Sequence, residues 1–228
     1  AELLERLCKI EKLEWIRLHY AYPTDFPDQL IEVMARERKI CKYLDIPFQH
    51  ISDNQLSAMK RRHTKAQAIE LVAKLRKAIP DIALRTTLLV GYPGESEEDF
   101  AELMQFVKDT KFDRLGVFAY SEEEGTYSAT RLKDDVEEEV KHERVDRIMR
   151  LQERISLENN AKRVGQIMSV IIDRKEGDFY IGRSEYDSPE VDQELVIESF
   201  GKRLYRGRFY NVVITDVEDY DLYAEIIS

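Results

Sequence analysis

Over its first 121 residues the chain alternates strand-like and helix-like runs, and this alternation narrows the fold more than any other feature. Strand-like runs fall at 14–20 (EWIRLHY), 42–50 (KYLDIPFQH), 82–90 (IALRTTLLV) and 114–121 (RLGVFAYS). Helical spacing fills the gaps. Residues 1–12 read as a helix. So do 23–39, with Asp25 as cap and Pro27 in the first turn. A short helix over 53–60 and a longer one from Thr64 to Pro80 follow. Ser96-Glu97-Glu98-Asp99 has the grammar of a capping box, and Phe100, Leu103, Met104 and Val107 form the apolar face behind it. With right-handed crossovers this order gives a parallel sheet covered by helices, an α/β architecture. Four strands are too few for a closed barrel and suffice for a partial one.

The period changes near Gly165. Residues 134–163 read as one long charged helix with a narrow stripe of Val145, Ile148, Met149 and Ile155. After it, QIMSVIID, DFYIGRSE, ELVIES, FYNVVITDV and DLYAEII are short strand-like runs separated by Gly, Pro or charged turns. They predict a small five-stranded antiparallel β-barrel of the oligonucleotide-binding type. Two domains result, 1–163 and 164–228.

Charge bears on partners. The net charge is −10, which argues against a protein whose main task is gripping nucleic acid. The excess is concentrated: residues 165–228 carry 14 acidic and 7 basic side chains. Such a surface suits a basic partner. The longest apolar runs fall far short of a membrane span, and the opening AELLERLCKIEKLEW has no signal-peptide pattern, so a cytoplasmic location is expected. Cys8 and Cys41 lie 33 residues apart without a partner motif and read as buried free thiols.

In a parallel α/β sheet the ligand sits beyond the C-terminal strand ends. That rule selects Arg17, His19, Tyr20 and Tyr22 after the first strand, and Asp45, Gln49 and His50 after the second. From the third come Arg85, Thr87 and the turn Gly91-Tyr92-Pro93-Gly94-Glu95, and from the fourth Tyr120 and Ser121. Polar side chains inside such strands are costly unless paired or facing a wet cavity. In one strand a salt-bridged structural group explains them equally well; RLHY, DIPFQH and LRTT together point to a polar cavity. The turn after 82–90 lacks the Lys and hydroxyl of a phosphate-binding P-loop and does not fit G-x-G-x-x-G. No His, Cys or carboxylate cluster has metal-ligand spacing.

WIRLHYAYP, YLDIPFQH, MKRRHT, RTTLLVGYPGESEEDF and GRSEYDSPEVD, in this order and spacing, resemble the C-terminal part of the radical SAM methylthiotransferases, over essentially the whole chain. The terminal barrel resembles a TRAM domain. Within the family, DIPFQH and Arg85 resemble the branch that modifies an aspartate β-carbon of a small-subunit ribosomal protein. The alternatives are the tRNA-adenosine branch and a non-catalytic protein-binding module. The resemblance implies a partial radical SAM (β/α) barrel, S-adenosyl-L-methionine (SAM), two [4Fe–4S] clusters and an electron donor that reduces them. The family's cysteine motifs are missing from this chain. It is therefore expected to be a fragment without metal ligands, inactive alone. For SAM, the resemblance implies Gln49 at the ribose or methionine part and Arg61 at the methionine carboxylate. Val90, Gly91 and Tyr92 would line the adenosyl group, with Gly94 permitting close approach. His19, Tyr20, Asp45, His50, Arg85 and Tyr120 would line the substrate cavity, Arg85 gripping the substrate aspartate. The basic ribosomal protein would dock on the acidic TRAM domain.

Overall fold

A computed structural model describes residues 1–227. The N-terminal unit runs α1 (Glu2–Cys8), β1 (Ile16–Leu18), α2 (Asp28–Arg36), β2 (Ile40–Asp45), α3 (Asp53–Ala58), α4 (Lys65–Ala78), β3 (Ala83–Val90), α5 (Glu97–Thr110) and β4 (Arg114–Ala119). The strands lie in the order β1-β2-β3-β4, all parallel. A short helix α6 (Tyr127–Arg131), absent from the sequence reading, precedes α7 (Glu138–Ala161). Five residues carry too little periodicity to announce a helix; the local sign is Thr126, whose hydroxyl accepts from the Ala129 amide.

Two helix starts follow their sequence grammar. Thr64 with Gln67 and Ser96 with Asp99 each form a complete capping box. The start of α2 does not. Asp25 takes a left-handed φ of 51°, and Pro27 stands at the cap position without a side-chain hydrogen bond. Proline fixes the φ the entry needs and has no amide to satisfy.

Strand parity divides the sheet. Leu84, Thr86, Leu88 and Val90 of β3 are buried, whereas Arg85, Thr87 and Leu89 are partly open. The first set lies in the main core with Ile40, Leu44, Phe100, Leu103 and Ile148. The second set shares the opposite, inner face with Tyr43, Asp45, Gly116 and Phe118, as strand alternation and register require.

The C-terminal unit is a closed barrel of β5 (Ile167–Glu176), β6 (Phe179–Arg183), β7 (Leu195–Glu198), β9 (Leu222–Ile226) and β8 (Phe209–Val217), in that order round the ring. It is not wholly antiparallel: β7 and β9 pair parallel. Geometry forces this, because directions cannot alternate all the way round a ring with an odd number of strands. Met168, Val170, Ile172, Leu195, Val212 and Ala224 are among the residues that fill it. Helix α7 ends at Ala161 and β5 begins at Ile167.

The two units are joined through the segment between β6 and β7. Tyr186 packs against a cluster of Cys41, Tyr43 and Ala83 that Trp15 also touches. Arg17 donates to the Ser184 carbonyl at 3.0 Å, and the Lys42 amide donates to Glu185 at 3.0 Å. The C-terminal unit thereby covers the lower half of the inner face and leaves the upper half open.

Candidate functional site

The upper inner face is bounded by the ends of β2 and β3. After β2 the chain continues alongside β3: Gln49 bridges to Leu88, its amide donating to Thr87 at 2.9 Å and its carbonyl accepting from Leu89 at 2.7 Å. Gln49 does this with a left-handed φ of 68°, an unfavourable conformation for a side chain with a Cβ. Such local strain marks functional positions more often than ordinary ones. Gln49 is half-buried, as are Thr87 and Leu89 of the strand it bridges to.

The turn 91–95 is held from behind by buried groups. Glu95 has a fully buried carboxylate that accepts from the Gly91 amide, from His50 Nε2 at 3.1 Å and from Arg144 Nη1 at 2.8 Å. His50 Nδ1 accepts from the Ser52 amide at 3.0 Å, so the ring is a neutral tautomer with its proton on Nε2, donating to Glu95. Arg144 also donates to the Glu95 carbonyl and to Glu97. The Asp135 carboxylate accepts from the Gly94 amide at 2.7 Å. Gly91 has φ +71°, and a Cβ there would stand 2.2 Å from Lys141 Cγ. The space a side chain would take at Gly91 is thus occupied by α7. Around Gly94, at φ +80°, the space is open.

Lower on the inner face lies a charged network. Asp45 is buried, accepts from Arg85 Nη1 at 3.0 Å and lies 4.0 Å from His19 Nδ1. Arg85 Nε faces Asp192 of the C-terminal unit at 3.4 Å. Burial works against the Arg85 guanidinium, but the Asp45 carboxylate outweighs it and raises the Arg85 pKa. Burial pushes the Asp192 carboxyl up, partly offset by the Ser188 amide and Arg114. Arg114 donates to Asp187 at 2.6 Å with both groups buried. Two carboxylates already compensate Arg85, so it holds Asp45 and the C-terminal unit together; it is not a free cation.

The other residues named from sequence divide accordingly. His19 lies on the inner face with its Nε2 3.4 Å from Ser188 Oγ. Tyr20 is 83% exposed, with φ +54°, and its side chain projects outward. His50 is fully buried and lines no cavity; it ties β2 to the turn. Val90 points to the helices, and its carbonyl accepts from the Tyr120 amide. Tyr92 and Tyr120 are buried, their rings 5.1 Å apart. Arg61 is half-buried, near the Pro47 carbonyl and 5.6 Å from the Tyr22 ring centroid. Sequence reading passed over Leu89, Glu95 as a hub, Lys141 and Arg144. Leu89 was within reach: it shares the parity of Arg85 and Thr87.

Neither cysteine suits a cluster. Cys41 is buried in the Trp15–Tyr186 contact, where burial pushes its thiol up to about 11, far from the thiolate a metal needs. Among the described residues no group of three or more His, Cys, Asp or Glu is arranged to hold a metal ion. No helix among them is long and apolar enough to cross a membrane.

A partial parallel barrel with a strained residue and a glycine turn at its strand ends, followed by a small closed barrel, defines a class. Residues 1–107 match the model of the radical SAM superfamily, and 164–227 match that of the TRAM domain. Coproporphyrinogen III oxidase (HemN) from Escherichia coli, a radical SAM enzyme, shares the fold with a TM-score of 0.52 at 15% identity, over 81% of this chain and 51% of that one. The ribosomal protein uS12 methylthiotransferase RimO of Bacteroides thetaiotaomicron is 54% identical over 100% of this chain and 52% of its own length. The RimO of Christiangramia forsetii is 53% identical over 100% of this chain and 50% of its own length. Along its full length the chain is similar to the RimO proteins, with its radical SAM match over residues 1–107 and its TRAM match over 164–227. It spans about half the length of the curated relatives it matches.

Proposed function

We propose that the chain is part of a radical SAM methylthiotransferase that acts on an aspartate β-carbon of a small-subunit ribosomal protein in the cytoplasm. The observation that carries this reading is the identity of 54% along the full chain with a protein named ribosomal protein uS12 methylthiotransferase; the aspartate β-carbon follows from the resemblance of DIPFQH and Arg85.

The residues present fit SAM. Gln49 supplies an amide to the ribose or methionine part from a strained backbone that the β3 ladder fixes. Thr87 and Leu89 form the wall beneath it, Leu89 giving the apolar surface that Val90, turned to the helices, does not. The open side of Gly94 lets the backbone of the turn approach the adenosyl group. Arg61 serves the methionine carboxylate. When bound, SAM supplies the methyl group and the hydrogen-abstracting radical. This chain's part is to bind and orient it, with Asp45 held by Arg85 and His19 lining the floor. The cysteines present do not fit an iron–sulfur cluster. The acidic C-terminal unit receives the basic protein substrate.

Equilibrium dialysis of SAM with the longer parent protein tests the cofactor placement. Gln49→Ala and Leu89→Asp should each weaken binding by about tenfold or more while circular dichroism stays unchanged. Normal binding by both variants overturns it. The substrate reading is tested by mass spectrometry of products: a methylthio group on tRNA adenosine, with none on the ribosomal protein, overturns it.

A further inference from the structure

Helix α5 carries its exposed charges by flank. Glu98, Glu102 and Asp109 border the groove between α5 and α4, whereas Lys108 and Lys111 border the groove between α5 and α7. Spacings of three, four and seven residues keep each flank continuous along the helix. Between the flanks runs a low crest of Ala101 and Gln105, both exposed and both shared by the two grooves. A surface charged only for solubility intersperses its signs; on α5 they are sorted.

The α5/α7 groove has an apolar floor and a basic rim. Met104 and Leu151 are half-buried along it, Leu157 is 41% exposed, and Arg147, Arg150 and Arg154 stand on the α7 side. Arg147 has Glu143 at 3.7 Å, and Lys111 has Glu158 at 2.7 Å. Among the described residues, Lys108, Arg150 and Arg154 have no carboxylate within ion-pair distance, although Glu153 and Asp219 border the groove beside them. The α4/α5 groove is the counterpart. Its floor includes Ile69, 47% exposed, and Ala73. Lys65 lies 3.3 Å from Glu102, and Asp109 accepts from Gln105 at 2.7 Å. Among the described residues, neither Glu98 nor Asp109 has a cation within ion-pair distance.

An acidic partner would satisfy the α7 arginines and leave the acids of α5 unmet. A basic partner would do the reverse. A second copy of this chain carries both signs at the spacing required. A two-fold axis parallel to α5 can seat the α5 crest of each copy in the α5/α7 groove of the other. The acidic flank of each α5 then lies over the arginines of the other copy's α7, and the contact is made twice. Ala101 keeps the crest low enough for the helices to approach, and Met104, Leu151 and Leu157 leave water in both copies. We propose that the chain self-associates as a two-fold dimer through α5 and α7. These helices pack on the face of the sheet opposite the candidate site, so the dimer leaves both sites open. The dimer does not depend on the function proposed above.

Sedimentation velocity of the 228-residue chain tests it. Between about 1 and about 100 µM the mass should rise from monomer to dimer and stop there, and added KCl should weaken the dimer by screening the rim charges. Glu98→Arg with Glu102→Arg should weaken association by about tenfold or more, because it sets like charges against each other. Arg150→Glu with Arg154→Glu should do the same. The two variants mixed in equal amounts should associate at least as tightly as the unsubstituted chain, and so should one chain carrying all four changes. Lys9→Glu with Lys12→Glu alters the net charge as much as the arginine variant does, away from these helices, and should leave the dimer intact. All of these side chains are exposed, and circular dichroism checks the fold. A monomer at about 100 µM overturns the proposal. So does a dimer that neither reversal weakens, a mixture that fails to associate, or growth beyond two copies, which would mean a head-to-tail contact.

Discussion

At Gly91 the requirement for glycine has two separable parts. One is the backbone, at φ +71°; the other is Lys141, whose Cγ stands 2.2 Å from where a Cβ would lie. Gly94 has only the first, with φ +80° and open space around it. Gly94→Ala should therefore cost about 1 kcal/mol, the left-handed penalty of a residue with a Cβ. Gly91→Ala should cost about 3 kcal/mol, because overpacking against a buried side chain adds to that penalty. Urea unfolding measures both, and equal costs would remove Lys141 from the account. Adding Lys141→Ala to Gly91→Ala should recover the steric part. Both glycines were legible in GYPGE as turn positions, but their different reasons were not. The contact that distinguishes them joins residues fifty apart in sequence, and no local periodicity reports it. The same holds for His50, which read as a cavity residue because it follows Gln49; only Glu95 and the Ser52 amide reveal it as a buried tie.

At the level of elements the sequence was most informative where the physics is local. Strand parity, capping boxes and the change of period at Gly165 depend on residues within one or two turns of each other, and each stands in the structure. The start of α5 shows how far such a local device reaches. Asp99 is the third residue of its capping box, and it also accepts from Ser52 and Asn54 across the turn. Burial alone would raise its pKa, but the hydrogen bonds from Ser52 and Ser96 outweigh burial and hold the carboxyl below the ordinary carboxylate range. A carboxyl depressed in the folded state stabilises above its unfolded pKa, and that stability is lost as pH falls through the folded value. Asp99→Asn should thus cost about 1 kcal/mol at neutral pH. The difference from the unsubstituted chain should shrink as the solution is acidified below about pH 4. Urea unfolding across that range checks it; a difference independent of pH would show that the carboxylate charge is not what caps the helix.

The two units meet largely where one loop from the C-terminal barrel lies on the inner face of the sheet, with Trp15 against β8 and Asn160 donating to the Tyr220 carbonyl beside it. Apolar contact there is limited to Tyr186 against Cys41, Tyr43 and Ala83, with Trp15 edge-on to Phe209 at 4.8 Å. Most of the rest is charged: Arg114 with Asp187, Arg85 with Asp192 and Arg17 with the Ser184 carbonyl. A buried ion pair adds little net stability, but removing one partner strands the other charge in a dry site. Asp187→Asn keeps an acceptor for the Ser184 amide and hydroxyl while leaving Arg114 uncompensated. It should cost about 3 kcal/mol of docking energy. Scanning calorimetry should then resolve two transitions in place of one, since each unit has its own core. Adding Arg114→Met removes the stranded charge and should restore most of the coupling. A single transition at an unchanged midpoint in Asp187→Asn would mean that the apolar contacts alone hold the units together. Docking would then be indifferent to charge, and Arg85 would be free of the C-terminal unit. If instead the units separate, Asp192 leaves Arg85 and the floor beneath Asp45 changes with it. Domain docking and the shape of the candidate site would then be one equilibrium, which SAM affinity of the longer parent protein carrying Asp187→Asn would report directly.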